Sequence, residues 1–229
     1  MIFELLMNLR PDSTSSLVSP RINTHQLAAD APLKLGIMAS GSGSNFEAVA
    51  QAIADGQLNA QIQVLIYNNP SAKVASKAAD RGVEAVLLNH RAYKSRESFD
   101  QEIVNTLQEY DVDWLILAGW MRVVTSVLID AFPQRIINIH PSLLPSFKGI
   151  HAVEQALDAG VKITGCTVHL VCLEVDSGPI LMQAAVPILP DDTAETLHAR
   201  IQVQEHRILP QAIALAATRQ GEILRGVGV

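Results

Sequence analysis

Cysteine is almost missing from this chain: Cys166 and Cys172 are the only 2 among 229 residues. Both fall in a stretch that reads as one strand, on one face. Their spacing there is roughly 20 Å at about 3.3 Å per residue, beyond the reach of a disulfide. They read as buried thiols of a reducing compartment. With no partnering histidine pair they give no zinc spacing. Long apolar runs are lacking too, since none reaches the roughly 18 residues that a membrane span needs. The opening Met1–Met7 carries an acid and no preceding basic residue, and it passes at once into Asn8, Arg10, Pro11 and Asp12. That pattern is unlike a secretory leader, so the expected location is cytoplasmic, with no membrane contact. Positive charge is short as well, with 17 Lys and Arg against 23 Asp and Glu and a formal net charge of -6. Such a balance disfavours a protein whose work is gripping nucleic-acid phosphates. A local pocket for a small anion is still allowed.

What is present is a core. Hydrophobic residues make up 48% and charged residues 17%, which excludes global disorder. Residues 1–32 are polar, rich in Ser and Pro, and aperiodic, and read as a flexible amino-terminal extension. From residue 33 to 229 strands alternate with helices. Lys34–Ala39, Ala60–Tyr67, Val83–Leu88 and Val112–Leu117 read as strands; Phe46–Ala54, Ser71–Arg81, Ser95–Glu109 and Thr125–Phe132 read as helices. This is one α/β domain built on a mostly parallel twisted sheet with a Rossmann-like amino-terminal half. Further on, Ala152–Asp158 reads as a helix, and Lys162–Glu174 and Ile180–Ile188 as strands joined by a short turn, an antiparallel hairpin portion. A last helix opens at Asp191-Asp192-Thr193 and is interrupted near Pro210.

Two stretches carry chemistry. Ser40-Gly41-Ser42-Gly43-Ser44-Asn45 joins a strand to a helix start, where backbone N–H groups and the helix dipole favour an anion. Phe46 stands where a dinucleotide fingerprint wants a third glycine, and no Gly-Lys-Ser/Thr follows, so a single phosphate suits it better than a pyrophosphate. A plain turn is the alternative. The second stretch is Arg135–Pro145, Arg-Ile-Ile-Asn-Ile-His-Pro-Ser-Leu-Leu-Pro. Alternation along a strand puts Asn138 and His140 on one side, and Pro141 ends the strand at the imidazole. Ligands of open α/β sheets sit at such carboxyl ends. A structural, hydrogen-bonded histidine is the competing reading. Asp176, in the turn Val175–Pro179, is by itself an ordinary turn former. Joined to Asn138 and His140, it supplies an anion to orient an imidazole and favour its charged form.

Asn138-Ile139-His140-Pro141-Ser142-Leu143-Leu144-Pro145 followed by Asp176-Ser177-Gly178-Pro179-Ile180 resembles the signature of the folate-dependent formyltransferases. Within them it is most similar to the branch that formylates glycinamide ribonucleotide in purine biosynthesis. The likeness runs from about Leu35 to Arg219 and includes Ser40–Asn45, Leu117–Arg122, Gly165–His169 and Gln202–His206. It implies a formyltransferase fold and transfer from 10-formyltetrahydrofolate, a co-substrate, with no metal. It also implies that Asn138, His140 and Asp176 are catalytic. Gly43, Ser44 and Asn45 would hold the substrate phosphate, with Gln202 and Glu205 also on the ribonucleotide and Glu205 at its ribose. Arg96, Met121, Arg122, Val123, Val124, Asn138, Cys172, Leu173, Glu174, Val175 and Asp176 would wall the folate pocket. The expected partners are these small molecules and no nucleic acid, in a monomer or homodimer. Deformylase and methionyl-tRNA formyltransferase chemistry share the trio, and a nucleotide-binding protein that lost the chemistry is a further alternative. Ser146-Phe147-Lys148 departs from the family's usual residues and receives no role. His169 is expected to support either the site or the core.

Overall fold

The computed structural model describes residues 17–20 and 31–218. Along the chain run β1 (Val18–Ser19), β2 (Leu33–Ala39), α1 (Ser44–Ala54), β3 (Ala60–Tyr67), α2 (Val74–Asp80), β4 (Ala85–Leu87) and α3 (Arg96–Glu109). Then follow β5 (Trp114–Leu117), α4 (Ser126–Ala131), β6 (Ile136–His140), α5 (Ala152–Asp158), β7 (Ile163–Leu170), β8 (Ile180–Pro187) and α6 (Ala194–Thr218). The strands form one sheet in the order β1-β8-β7-β6-β5-β2-β3-β4. From β6 to β4 neighbours are parallel, whereas β6–β7, β7–β8 and β8–β1 are antiparallel. The chain winds outward from β2 through β3 to β4, then returns to the other side of β2 as β5. That reversal opens a crevice at the carboxyl ends of β2 and β5.

Alternation along the strands divides the core into two layers. Ile37, Leu65, Ile116, Ile137 and Ile139 pack on one side with α1 and α6. Met38, Val64, Ile66, Leu115, Leu117 and Ile136 face the other way, against Phe99, Ile103 and Leu107 of α3. Strand parity therefore gives Asn138 and His140 the same side as Ile136.

The structure corrects several expectations. Val18–Ser19, read as part of a flexible extension, pairs with Ala184 and Gln183 of β8 and buries Val18 in the core. Residues 1–16 and 21–30 of that extension lie outside the described residues. The strand read as Lys162–Glu174 ends at Leu170, so Cys172 lies beyond it in the connection to β8 and both cysteines are free thiols. Residues 171–179 make that connection, longer than the short turn expected. The last helix passes through Pro210 without a break. A mid-helix proline costs about 3 kcal/mol, and burial of Ile208, Leu209, Pro210, Ala212 and Ile213 offsets it. Helix α2 starts three residues later than expected, because Asn69 Oδ1 accepts the Ser71 N–H (3.2 Å) and holds the segment in a turn.

Gly165 marks a close approach of β7 to β8. A Cβ there would lie 1.9 Å from the Ala184 carbonyl oxygen and 2.9 Å from Leu143. Gly165→Ala is expected to force β7 from β8 and destabilise the protein by about 1–3 kcal/mol, seen as a lower midpoint in urea. An unchanged midpoint would show that the strands separate freely.

Candidate active site

A cleft of about 770 Å³ lies at the carboxyl ends of β2, β5 and β6. Its centre is set by strand register. Asn138 of β6 stands directly opposite His169 of β7, and His140 opposite Thr167. Cross-strand partners touch, and the Asn138 amide nitrogen donates to His169 Nε2 at 3.0 Å. His169 Nδ1–H donates to the Leu170 carbonyl (2.9 Å), which fixes the tautomer that leaves Nε2 as an acceptor. One N–H of the Asn138 amide is thus spent on His169, and the second serves the cleft.

His140 Nε2–H donates to the Phe147 carbonyl at 2.8 Å, and Nδ1 lies 3.3 Å from Asp176 Oδ2. Acceptors at both ring nitrogens are satisfied together only by the doubly protonated ring. Asp176 is almost enclosed, with His169 Nε2 3.5 Å from Oδ1 and the Gly149 N–H donating to Oδ2 at 2.8 Å. Burial opposes its charge, but the hydrogen bond from Gly149 and the neighbouring His140 ring outweigh it. Its carboxyl is held below the usual value. Asp176 sits at φ +50°, as Phe147 does at +57° and His151 at +60°. Strained backbone of this kind collects at functional sites.

One end of the cleft is polar. Gly43, at φ +73°, turns the chain into α1, and a Cβ there would lie 2.4 Å from Val74. Only glycine fits. Helix α1 then begins without a side-chain cap, which leaves first-turn N–H groups facing the cleft. Gln202 Nε2 donates to Ser44 Oγ (3.2 Å), and Asn45 Nδ2 donates to Glu205 Oε2 (3.0 Å). Asn45 Oδ1 is buried and finds no hydrogen-bond partner among the described residues. Burial pushes the Glu205 carboxyl above its ordinary value, against the Asn45 hydrogen bond.

The other end is apolar. Met121, Val123, Leu173 and Val175 line it and remain exposed. Two side chains hold the Met121–Val124 segment: Ser40 Oγ accepts the Met121 N–H (3.0 Å), and Asp100 Oδ2 accepts the Thr125 N–H (2.6 Å). Arg122 lies over Phe99, 5.7 Å from the ring centroid, and Phe99 stacks on Trp120.

The resemblance to known chains is broad. A family model described as formyl transferase matches residues 33–213. The chain belongs to the formyl transferase family. It is 40% identical over 191 residues to the phosphoribosylglycinamide formyltransferase of Bacillus subtilis, covering 82% of this chain and 98% of that one. Against the bovine trifunctional purine biosynthetic protein adenosine-3 it is 39% identical over 204 residues, covering 89% of this chain. It spans only 20% of that relative's length. Among solved structures, the glycinamide ribonucleotide transformylase 1 of Symbiobacterium toebii superposes with a TM-score of 0.82 at 45% identity, covering 83% of this chain and 91% of that one.

Within this formyl transferase chain the expected trio shares one cleft, as do Gly43, Ser44, Asn45, Gln202 and Glu205, and the wall residues Met121, Arg122, Val123, Val124, Cys172, Leu173 and Val175. Arg96 and Glu174 are not brought among the lining residues. Arg96 is exposed in the first turn of α3, and Glu174 points toward Lys148. Sequence reasoning missed Glu195 and His198, which also line the cleft. Their signal was helical spacing, because 195, 198, 202 and 205 fall on one face of α6. The carbonyl of Phe147 and the N–H of Gly149 had no signal at all. Among the described residues no three His, Cys, Asp or Glu side chains gather as a metal site would need. A second cleft, about 980 Å³ between α1, α2 and α6, shares Ser44 with the site but holds none of the trio.

Two pH dependences follow. Asp176 is depressed, so its contribution to stability is present above its unfolded value and lost as pH falls through the folded one. Stability should drop below about pH 4, and less steeply in Asp176→Asn, compared by urea midpoints at successive pH. Glu205 is raised, so stability is fully present below 4.5 and lost as pH rises through the folded value. Glu205→Gln is therefore expected to be more stable than wild type at pH 8, with the difference closing toward pH 4.5. A Gln variant weaker at every pH would contradict this.

Proposed function

We propose that the chain transfers the formyl group of 10-formyltetrahydrofolate to the primary amine of glycinamide ribonucleotide. The products are N-formylglycinamide ribonucleotide and tetrahydrofolate, in de novo purine biosynthesis. The observation that carries the reading is the meeting of Asn138, His140 and Asp176 in one cleft, between an end with an uncapped helix start and an apolar end. A phosphate suits the turn at Gly43–Asn45. Ribose hydroxyls suit Glu205, and a flat pteridine suits the apolar end. Arg122 is a cation for the donor's carboxylates. Names of the relatives point the same way, and two free cysteines agree with a cytoplasmic location.

In this mechanism the amine of the ribonucleotide attacks the formyl carbon and the carbonyl oxygen gathers negative charge. The second N–H of the Asn138 amide donates to that oxygen, and the His140 ring beside it offsets the charge. Asp176 keeps the imidazole charged while the oxyanion forms. The carbon–nitrogen bond to the folate then breaks, the folate nitrogen takes up a proton, and the ammonium of the adduct loses one. His140 and Asp176 lie where that proton can pass. Neither a covalent intermediate nor a nucleophilic serine enters.

The test is tetrahydrofolate release, followed spectrophotometrically, with donor plus glycinamide ribonucleotide and with donor plus water. Turnover is expected only with the ribonucleotide. Asn138→Ala should lower kcat by about 10²–10³-fold, the effect of one lost oxyanion donor. Asp176→Asn should lower it by orders of magnitude with the two KM values little changed. Release of formate from the donor in water at the full rate would instead make the chain a deformylase.

A further inference from the structure

The segment Ser146-Phe147-Lys148 lies against both halves of the His140–Asp176 couple. Phe147 gives its carbonyl to His140, and Gly149 gives its N–H to Asp176. Between them Lys148 reaches the loop that carries Asp176. Its Nζ donates to Ser177 Oγ at 2.5 Å and lies 3.5 Å from Glu174 Oε1. The Ser177 hydroxyl in turn donates to the Val175 carbonyl at 3.0 Å, so it accepts from the lysine and donates within its own loop. Each group is used once and none conflicts.

That loop needs fastening. Residues 171–179 form neither helix nor strand. They place Leu173 and Val175, 67% and 44% exposed, at the apolar end of the cleft. The base of the loop is fixed by close packing at Gly178, where a Cβ would lie 1.8 Å from the Leu170 carbonyl oxygen. Glu174 is 78% exposed, so its attraction to Lys148 is heavily screened. The bond to Ser177 is the stronger fastening.

We propose that Lys148 is a positioning residue that clasps the 172–177 loop through Ser177 and Glu174. It thereby holds Asp176 beside His140 and keeps the apolar edge that receives the formyl donor in place. The last part rests on the function proposed above. The clasp acts on the donor's end of the cleft and leaves the phosphate end, at Gly43–Asn45 and Gln202, untouched.

Lys148→Met keeps the stem and removes the charge, and Lys148→Arg restores a donor. Ser177→Ala removes the acceptor without changing any charge. In the ligand-free protein, amide hydrogen exchange at residues 172–178 is expected to quicken about three- to tenfold in Lys148→Met and Ser177→Ala, the scale of one partly exposed charge-assisted hydrogen bond. It should stay near wild type in Lys148→Arg. The KM for 10-formyltetrahydrofolate should rise by a similar factor in the first two variants while the KM for glycinamide ribonucleotide does not move. Wild-type exchange in Lys148→Met would overturn the clasp. Quicker exchange with an unchanged donor KM would overturn its part in donor binding. A wild-type enzyme that turns over neither substrate would sink the functional reading instead, and the exchange comparison would still decide the clasp.

Discussion

Everything at the centre of this molecule depends on one enclosed carboxylate. Asp176 is withdrawn from water, and a lone charge in that position would cost several kcal/mol. It is kept ionised by the Gly149 N–H and the His140 ring, and His169 closes the site beside its other oxygen. Those partners come from three separate parts of the chain: the connection before α5, the end of β6 and the end of β7. Satisfying one anion therefore fixes the relative position of three segments. The same arrangement sets His140 between two acceptors, an environment made for a cationic ring facing a developing negative charge. Stability and chemistry draw on one electrostatic centre.

The sheet explains how those segments come to meet. Parallel strands β2 to β6 deliver their carboxyl ends to one edge, and the antiparallel β7 brings its own end, at His169, back to the same place. A fully parallel sheet would need a crossover there, with a helix over the face, and would leave no histidine opposite Asn138. The antiparallel portion thus contributes a second imidazole and, through the long connection to β8, the carboxylate itself. Close approach enforces the geometry: Gly165 and Gly178 lie where a Cβ would run into a backbone oxygen.

The cleft is a joint between unlike surfaces. Its polar end is built on the start of α1 and one face of α6, with Asn45 and Glu205 tied together in the interior. Its apolar end is built on two irregular segments, 121–124 and 172–176, each held by a few side-chain bonds. Ser40 binds the two halves, since it begins the turn toward α1 and also accepts the Met121 N–H. A rigid polar end and a lightly fastened apolar end suit a small charged substrate on one side and a large flat one on the other.

Much of this was legible in the residues. The alternation of apolar strands and amphipathic helices fixed the α/β class, because periods of two and 3.6 arise from backbone geometry alone. Asn138 and His140 two apart, ended by Pro141, placed two side chains on one rim, and the joint motif with Asp176 named the trio. Helical spacing from Gln202 would have reached His198 and Glu195. Local pattern misjudged Val18–Ser19, Cys172 and Pro210, since edge pairing, strand length and core burial are decided by distant partners. Nothing in the sequence could show that the Phe147 carbonyl, the Gly149 N–H and Lys148 converge on His140 and the Asp176 loop. Backbone groups carry no residue signature, and a contact across 27 or 29 positions exists only once the chain has folded. Sequence by itself determined the alternation of strands and helices and which side chains were candidates for the chemistry. Tertiary structure alone decided which acceptors and donors surround them, because that depends on where separate segments come to rest.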